Sequence, residues 1–256
     1  MIPKIIHYCW LSNDSYPEMI QKCIESWHKH LKGYKFKLWN RYTFDINSVG
    51  WVKQAFEARK YAFAADYIRL YALYTEGGIY LDSDVLVYKN FNDLLSRPYF
   101  IGQDFVGAFE PAVIGAVPGL KWIKTIMDYY KDRDFINLDG TLNIKNLPVV
   151  FFERLISNYR FKSIDNPEEF DTSEDLINLY PQKFFNGRNN IKPVQFPESY
   201  CSHLFANSWS EHKTQNKFYR IIPKFVLNAF LGLYYHVLRK RKTHFYDPLY
   251  RQNNLK

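Results

Sequence analysis

The feature that most constrains this chain is the run Gly77-Gly78-Ile79-Tyr80-Leu81-Asp82-Ser83-Asp84-Val85. The glycine pair stops a helix, a short apolar strand follows, and two carboxylates stand two residues apart. Residues i and i+2 of a strand share a face, so Asp82 and Asp84 project together where the strand ends or bends. Like charges placed side by side repel, and a site that keeps both calls for a cation. Hard oxygen ligands suit Mg²⁺ or Mn²⁺, which complete their shells with phosphates and water. The pattern points to a metal bridging the chain to a diphosphate. Asp-Ser-Asp is also ordinary turn chemistry, and a lone Asp-x-Asp arises often by chance, so context has to decide.

At 256 residues, the chain fits one large domain, or one domain with an appendage. Its 21 Tyr and 21 Phe support a sizeable core and argue against disorder. The net charge of +8 implies an anionic partner: nucleic acid, a phosphorylated substrate or an anionic membrane. The first two hundred residues hold no dense basic stripe with interleaved aromatics, so nucleic acid is not expected. Three cysteines, Cys9, Cys23 and Cys201, make an odd count without a CxxC pair. Neither a disulfide framework nor a structural zinc site follows from them, and a reducing compartment fits. The start, Met-Ile-Pro-Lys-Ile-Ile-His, lacks an apolar stretch of signal-peptide length and reads as mature sequence.

Taken in order, Ile2 to Trp10 reads as a buried strand. A helix follows with Ser15 as N-cap and Pro17 in its first turn, and Gly33 ends it. Tyr34 to Leu38 alternates as a strand with one wet face. This β-α-β opening is the usual start of a nucleotide-binding α/β domain. Val49 to Tyr61 and Phe63 to Glu76 read as helices. Asp66 and Arg69 lie three apart in the second, and spacing alone favours a helix-surface ion pair over a pair aimed at the Asp82/Asp84 strand. Short strands are expected at Val85–Tyr88, Tyr99–Gly102, Phe105–Glu110, Ala112–Val117 and Leu176–Tyr180. Helices are expected at Leu120–Tyr130 and Leu147–Asn158, and loops over 132–146 and 165–175. Near the end, Pro223 to Leu238 is mostly apolar and runs into Arg239-Lys240-Arg241-Lys242. The run is too short to span a membrane. It suits either an interfacial helix on anionic lipid or a last core helix with a basic tail.

Three stretches together resemble the family 32 glycosyltransferases, the group with the DXD sugar-binding region that includes bacterial capsular polysaccharide enzymes. They are the opening Ile2-Pro3-Lys4-Ile5-Ile6-His7-Tyr8-Cys9-Trp10, the run from Tyr61 through Asp66 and Arg69 to Gly77-Gly78 and Asp82-Ser83-Asp84, and His203 with Ser208-Trp209. The resemblance covers roughly residues 1–210, loosely in the middle. It implies a GT-A fold: an α/β, Rossmann-like mixed sheet flanked by helices, here as a catalytic domain over 1–215 with a helical, membrane-facing appendage over 216–256. Asp82 and Asp84 become the metal-binding pair, completed by His203 or Ser208. Asp66 and Arg69 become contacts to donor sugar and phosphate. His7, Trp10, Tyr61, Gly78 and Trp209 border the nucleotide. The implied cofactor is Mn²⁺ or Mg²⁺, with a nucleoside-diphosphate sugar as donor and a glycan, lipid-linked or free, as acceptor. The implied location is the cytoplasmic face of a membrane. A sugar phosphotransferase, a nucleotide-sugar hydrolase and a membrane-associated binding module are the competing readings. Asp104 and Glu110 are the nearby carboxylates that a double displacement could recruit as nucleophile.

Overall fold

The computed structural model describes residues 1–104, 106–189, 192–205 and 246–254. Its centre is a mixed five-stranded sheet of order β2-β1-β3-β6-β5. Strands β1 (Ile5–Cys9) and β2 (Lys35–Trp39) pair in parallel across α1 (Glu18–His30). After α2 (Gly50–Glu57) and the long α3 (Tyr61–Glu76), β3 (Gly78–Leu81) joins the other side of β1, again in parallel. These parallel crossovers give the expected β-α-β opening. The next strand, β4 (Val85–Val87), leaves this sheet. Strands β5 (Tyr99–Gln103) and β6 (Phe109–Ala116) return antiparallel, β6 lying between β3 and β5. Helices α4 (Lys121–Met127) and α5 (Leu147–Leu155) follow, then the parallel pair β7 (Arg160–Ser163) and β8 (Leu176–Leu179). A short α6 (Gln182–Phe185), the two-residue hairpin strands β9 (Arg188–Asn189) and β10 (Lys192–Pro193), and β11 (Cys201–His203) follow. β11 pairs antiparallel with β4.

The elements expected from the pattern form, with physical adjustments. The first helix has Pro17, not Ser15, at its cap, and no side chain caps it; Gln21 N donates to the Pro17 carbonyl instead. Phe109 to Ala116 is one strand through Pro111, not two broken at the proline. The register shifts between Ile101 and Gly102, so Pro111 sits at a bulge where no ladder N–H is required. Its carbonyl accepts a hydrogen bond from Arg69. Strands β7 and β11 carry too many polar residues to announce themselves and are held by pairing with buried neighbours.

The glycine pair explains how β3 reaches the sheet. Gly77 and Gly78 have φ of 66° and 105°, the left-handed region. A Cβ on Gly78 would meet the Ile5 carbonyl at 2.7 Å and His7 Nε2 at 2.9 Å, so only glycine lets β3 lie this close to β1. Helix α3 buries Ile68, Leu70 and Leu73 beneath the sheet strands it packs on, each side chain contributing roughly 1.5–3 kcal/mol. Helix α1 fixes β4 through two hydrogen bonds: Trp27 Nε1 donates to the Val85 carbonyl at 2.7 Å, and Val87 N donates to Ser26 Oγ at 2.9 Å.

The apolar and basic stretch 223–242 lies outside the described residues, so the interfacial-helix expectation does too. The last described piece, α7 (Pro248–Asn254), docks on β7: Gln252 exchanges two hydrogen bonds with the Phe161 backbone. Among the described residues, no helix is long and apolar enough to cross a membrane.

Candidate active site

Asp66 and Arg69 of α3 and Asp82 of the turn after β3 form one ionic network, buried at Asp66 and Arg69 and partly open at Asp82, with Asp84 beside it. Strand β3 ends at Leu81, and Asp82-Ser83-Asp84 turn the chain into β4, with Val85 N donating to the Asp82 carbonyl at 3.0 Å. The turn reading of this motif therefore holds for the backbone, but the turn is not solvated, since Asp84 is 8% exposed. Arg69 grips Asp82 with both guanidinium ends, Nη1 to Oδ2 at 3.2 Å and Nη2 to Oδ1 at 3.1 Å. The same Nη2 donates to Asp66 Oδ1 at 3.0 Å, and Nη1 to the Pro111 carbonyl at 2.9 Å. The guanidinium lies 4.7 Å from the Tyr80 ring centroid, and the Tyr80 hydroxyl donates to Asp82 Oδ1 at 3.2 Å.

The helix-surface expectation for Asp66 and Arg69 is thus corrected. Their side chains are 11% and 6% exposed, and the pair faces the carboxylate turn. Tertiary placement of α3 made the difference, because periodicity cannot tell an inward polar face from an outward one. Burial pushes the Asp66 carboxyl up to about 7, opposed by the charge of Arg69. Burial also disfavours charge on Arg69, but Asp82, Tyr80 and Asp66 hold its pKa well above the ordinary value. Arg69 stays charged and organises two carboxylates, which leaves it committed within the protein.

His203 reaches this network from the other end of the chain. Strand β11 places it opposite Val85, and Leu204 N donates to the Asp84 carbonyl at 3.0 Å. The ring has Nε2 3.4 Å from Asp84 Oδ1 and Nδ1 3.2 Å from Glu110 Oε1. Burial works against its positive form, but Glu110 and Asp84 raise its pKa well above the usual histidine value. Ligand atoms of Asp82, Asp84 and His203 all lie within 4.8 Å of one another. Carboxylates Asp66, Asp82, Asp84 and Glu110 outnumber the nearby Arg69 and His203. Two carboxylates and an imidazole converging in a site of excess negative charge suit a divalent ion of the Mg²⁺ or Mn²⁺ kind.

The remaining candidates are placed differently. His7 is fully buried: Nδ1 accepts from Trp39 Nε1 at 3.0 Å, and Nε2 donates to the Gly77 carbonyl at 2.7 Å. Burial lowers its pKa, so the ring is neutral and both its nitrogens serve the packing of β1, β2 and β3. Gly78 opens β3, roughly 13 Å along the strand from Asp82, while His7 lies in the middle of β1, paired with Tyr80. Trp10 lies just past β1, its Nε1 donating to the Asp14 carbonyl at 2.8 Å and its ring edge-on to Tyr16. Tyr61 opens α3 and packs on Phe56. Ser208 and Trp209 lie outside the described residues.

Two participants were not visible as such in the sequence. Glu110, 3% exposed, and Asn186, fully buried, stand behind His203. The available signal was a single carboxylate inside the otherwise uncharged run Phe109–Ala116, a costly placement unless it has a partner. The other carboxylate once considered, Asp104, accepts from Val106 N and Ala108 N at 2.8 and 3.0 Å and shapes its own loop.

Residues 17–101, which include α3, the glycine pair and the Asp82/Asp84 turn, match the family described as "Glycosyltransferase sugar-binding region containing DXD motif". That match covers about a third of the chain and contains the Asp82/Asp84 turn. A protein named as an uncharacterized glycosyltransferase of Acanthamoeba polyphaga mimivirus is 26% identical over 223 residues, 83% of this chain and 85% of that one. A mannosyl phosphorylinositol ceramide synthase of Saccharomyces cerevisiae is 32% identical over 142 residues, 51% of this chain and 36% of that one. Inositol phosphoceramide mannosyltransferase 3 of Schizosaccharomyces pombe is 29% identical over 124 residues, 46% of this chain and 34% of that one. The chain thus spans most of its viral relative but about a third of the yeast relatives.

Proposed function

We propose that this glycosyltransferase moves a hexose from a nucleoside-diphosphate sugar, a UDP-sugar foremost, to a growing cell-surface polysaccharide, with retention of anomeric configuration. The observation that carries the reading is the convergence of Asp82, Asp84 and His203, backed by the Asp66–Arg69–Asp82 network. A divalent cation bound by those three residues, Mn²⁺ or Mg²⁺, would act as a Lewis acid toward the negative charge of the departing diphosphate. Arg69 locks Asp82 into one orientation, so the site meets its ligand preorganised. Asp66, anchored by one oxygen, has acceptor capacity to offer a sugar hydroxyl.

A double displacement would need a free carboxylate beneath the sugar. Asp104 is engaged by two backbone N–H groups, and Glu110 by Ala112 N, Asn186 and His203. We therefore favour attack by the acceptor hydroxyl on the face the diphosphate leaves. The new carbon–oxygen bond forms as the sugar–phosphate bond breaks, and the hydroxyl proton passes to the leaving phosphate oxygen.

The yeast relatives carry names that couple this family to mannose and a lipid-borne acceptor. That supports testing GDP-mannose beside the UDP-sugars, and a lipid-linked acceptor beside a free glycan. The net charge of +8 suits a diphosphate donor and attachment to the inner face of an anionic membrane.

The deciding experiment is calorimetry of UDP-sugars and GDP-mannose, with and without Mn²⁺, on the wild type and Asp84→Asn. Metal-dependent binding of one donor, lost in the variant, supports the reading and names the donor. Absence of binding from folded protein removes it. Product analysis then separates a new glycosidic bond from a phosphodiester or a free sugar, the outcomes of the phosphotransferase and hydrolase alternatives.

A further inference from the structure

Behind His203 runs a chain of buried polar groups that never reaches the open side of the site. Glu110 lies in β6, a strand whose eight residues are all buried. Its Oε1 accepts from Ala112 N at 3.2 Å and faces His203 Nδ1 at 3.2 Å. Its Oε2 accepts a short hydrogen bond from Asn186 Nδ2. Asn186 comes from the end of α6 and is itself fully buried. Three segments far apart in sequence thus meet at one imidazole: β6, the end of α6, and β11.

A buried carboxylate in an apolar strand costs several kcal/mol unless it is fully hydrogen-bonded. Glu110 meets that condition, and its orientation has a consequence for the imidazole. Without a metal both ring nitrogens carry protons toward carboxylates; the acceptor at Nδ1 keeps its proton there, so it is the Nε2 proton that a metal would displace to reach a lone pair. Nε2 is the nitrogen that faces Asp84. Histidines that ligate a metal are commonly held in this way, with a carboxylate on the far nitrogen fixing the tautomer and raising ligand basicity.

We propose that Glu110, braced by Asn186, is a positioning residue that fixes the tautomer and ring orientation of His203 so that Nε2 completes the Asp82/Asp84 metal site. The assignment rests on the metal-site reading above. It also removes Glu110 from the list of nucleophiles: its carboxylate is the rear support of a ligand rather than a group facing the sugar.

The test uses the full chain, with Mn²⁺ alone titrated by calorimetry into the wild type, Glu110→Gln, Glu110→Ala and Asp84→Asn. Glu110→Gln keeps an acceptor but removes the charge, and its Mn²⁺ affinity should fall about tenfold; Glu110→Ala should lose about a hundredfold. A second readout is the ring ¹H–¹⁵N spectrum of histidine-labelled protein loaded with Mg²⁺, with His203 assigned through His203→Asn. The wild type should show a downfield, slowly exchanging Nδ1 proton on His203 that persists in Glu110→Gln and is lost in Glu110→Ala. Should Glu110→Ala fail to fold, the Gln variant carries the test, and an unchanged affinity in it overturns the proposal. Wild-type affinity or an unchanged His203 ring proton in folded Glu110→Ala also overturns it. If Asp84→Asn abolishes Mn²⁺ binding while the Glu110 variants bind normally, the positioning role fails and the metal site stands. If Asp84→Asn binds Mn²⁺ as the wild type does, both fall.

Discussion

The two halves of the site are built in opposite ways. Asp66, Arg69, Asp82 and Asp84 come from one continuous helix–strand–turn unit, α3 through the start of β4. Glu110, Asn186 and His203 come from three separate segments brought together by strand pairing and buried hydrogen bonds. The first half is a local motif in which one guanidinium, Arg69, holds two of the three carboxylates. The second is a purely tertiary assembly whose polar groups support a single ring. The contrast suggests that damage to the local half registers first in folding, and damage at the metal-facing carboxylate registers first in chemistry.

The largest expected effect breaks the local half. Arg69→Met leaves the buried Asp66 and the partly exposed Asp82 without their counter-charge and should cost about 3 kcal/mol in urea denaturation. A loss below about 1 kcal/mol would mean that the network is better solvated than its 6% and 11% exposures imply. Next comes Asp84→Asn, expected to lower sugar transfer by roughly a thousandfold through loss of Lewis-acid stabilisation, with stability nearly intact. A large fall in stability instead would place Asp84 with the structural half.

A smaller effect sharpens the role of the glycine pair. Gly78→Ala should cost about 2 kcal/mol, since its Cβ would press on the Ile5 carbonyl and the His7 ring. Donor affinity of the protein that remains folded should match the wild type. Weakened donor binding at unchanged stability would restore Gly78 to the nucleotide.

A pH-dependent effect concerns Asp104, in the loop between β5 and β6. Burial, with Glu110 adding to it, pushes the Asp104 carboxyl from 3.8 up to about 8. The folded protein then keeps this proton while the unfolded chain releases it. Stability from this group is fully present below about pH 4 and is lost as pH rises toward 8. Asp104→Asn should flatten that part of the stability profile between pH 4 and 8, measured by urea midpoints. An unchanged slope would show that another group carries it.

How much could be read in advance follows the same division. Asp82 and Asp84 were legible because a glycine pair, an apolar strand and two spaced carboxylates are local signals. The β-α-β opening was legible for the same reason, through its periodicity, although its helix caps were not. The inward turn of Asp66 and Arg69 was not, because three-residue spacing describes an exposed pair equally well. The passage of β6 through Pro111 was hidden too, because the bulge that tolerates the proline is set by β5 and by Arg69. His7 was legible as a notable residue but not as a packing one; that depended on Trp39 and the Gly77 carbonyl meeting its ring.

The sequence by itself determined the opening strands, the long helix, the glycine-limited crossing and the carboxylate turn, because each depends on neighbours within a few residues. Only the tertiary structure decided which charges are buried together, which nitrogen of His203 faces Asp84, and that Glu110 stands behind it. Those facts depend on contacts between residues as far apart as Glu110 and His203, 3.2 Å apart in space and 93 positions apart in the chain. A hydrogen bond of that kind leaves no periodic trace in a sequence, since its geometry is fixed only when the intervening chain has folded.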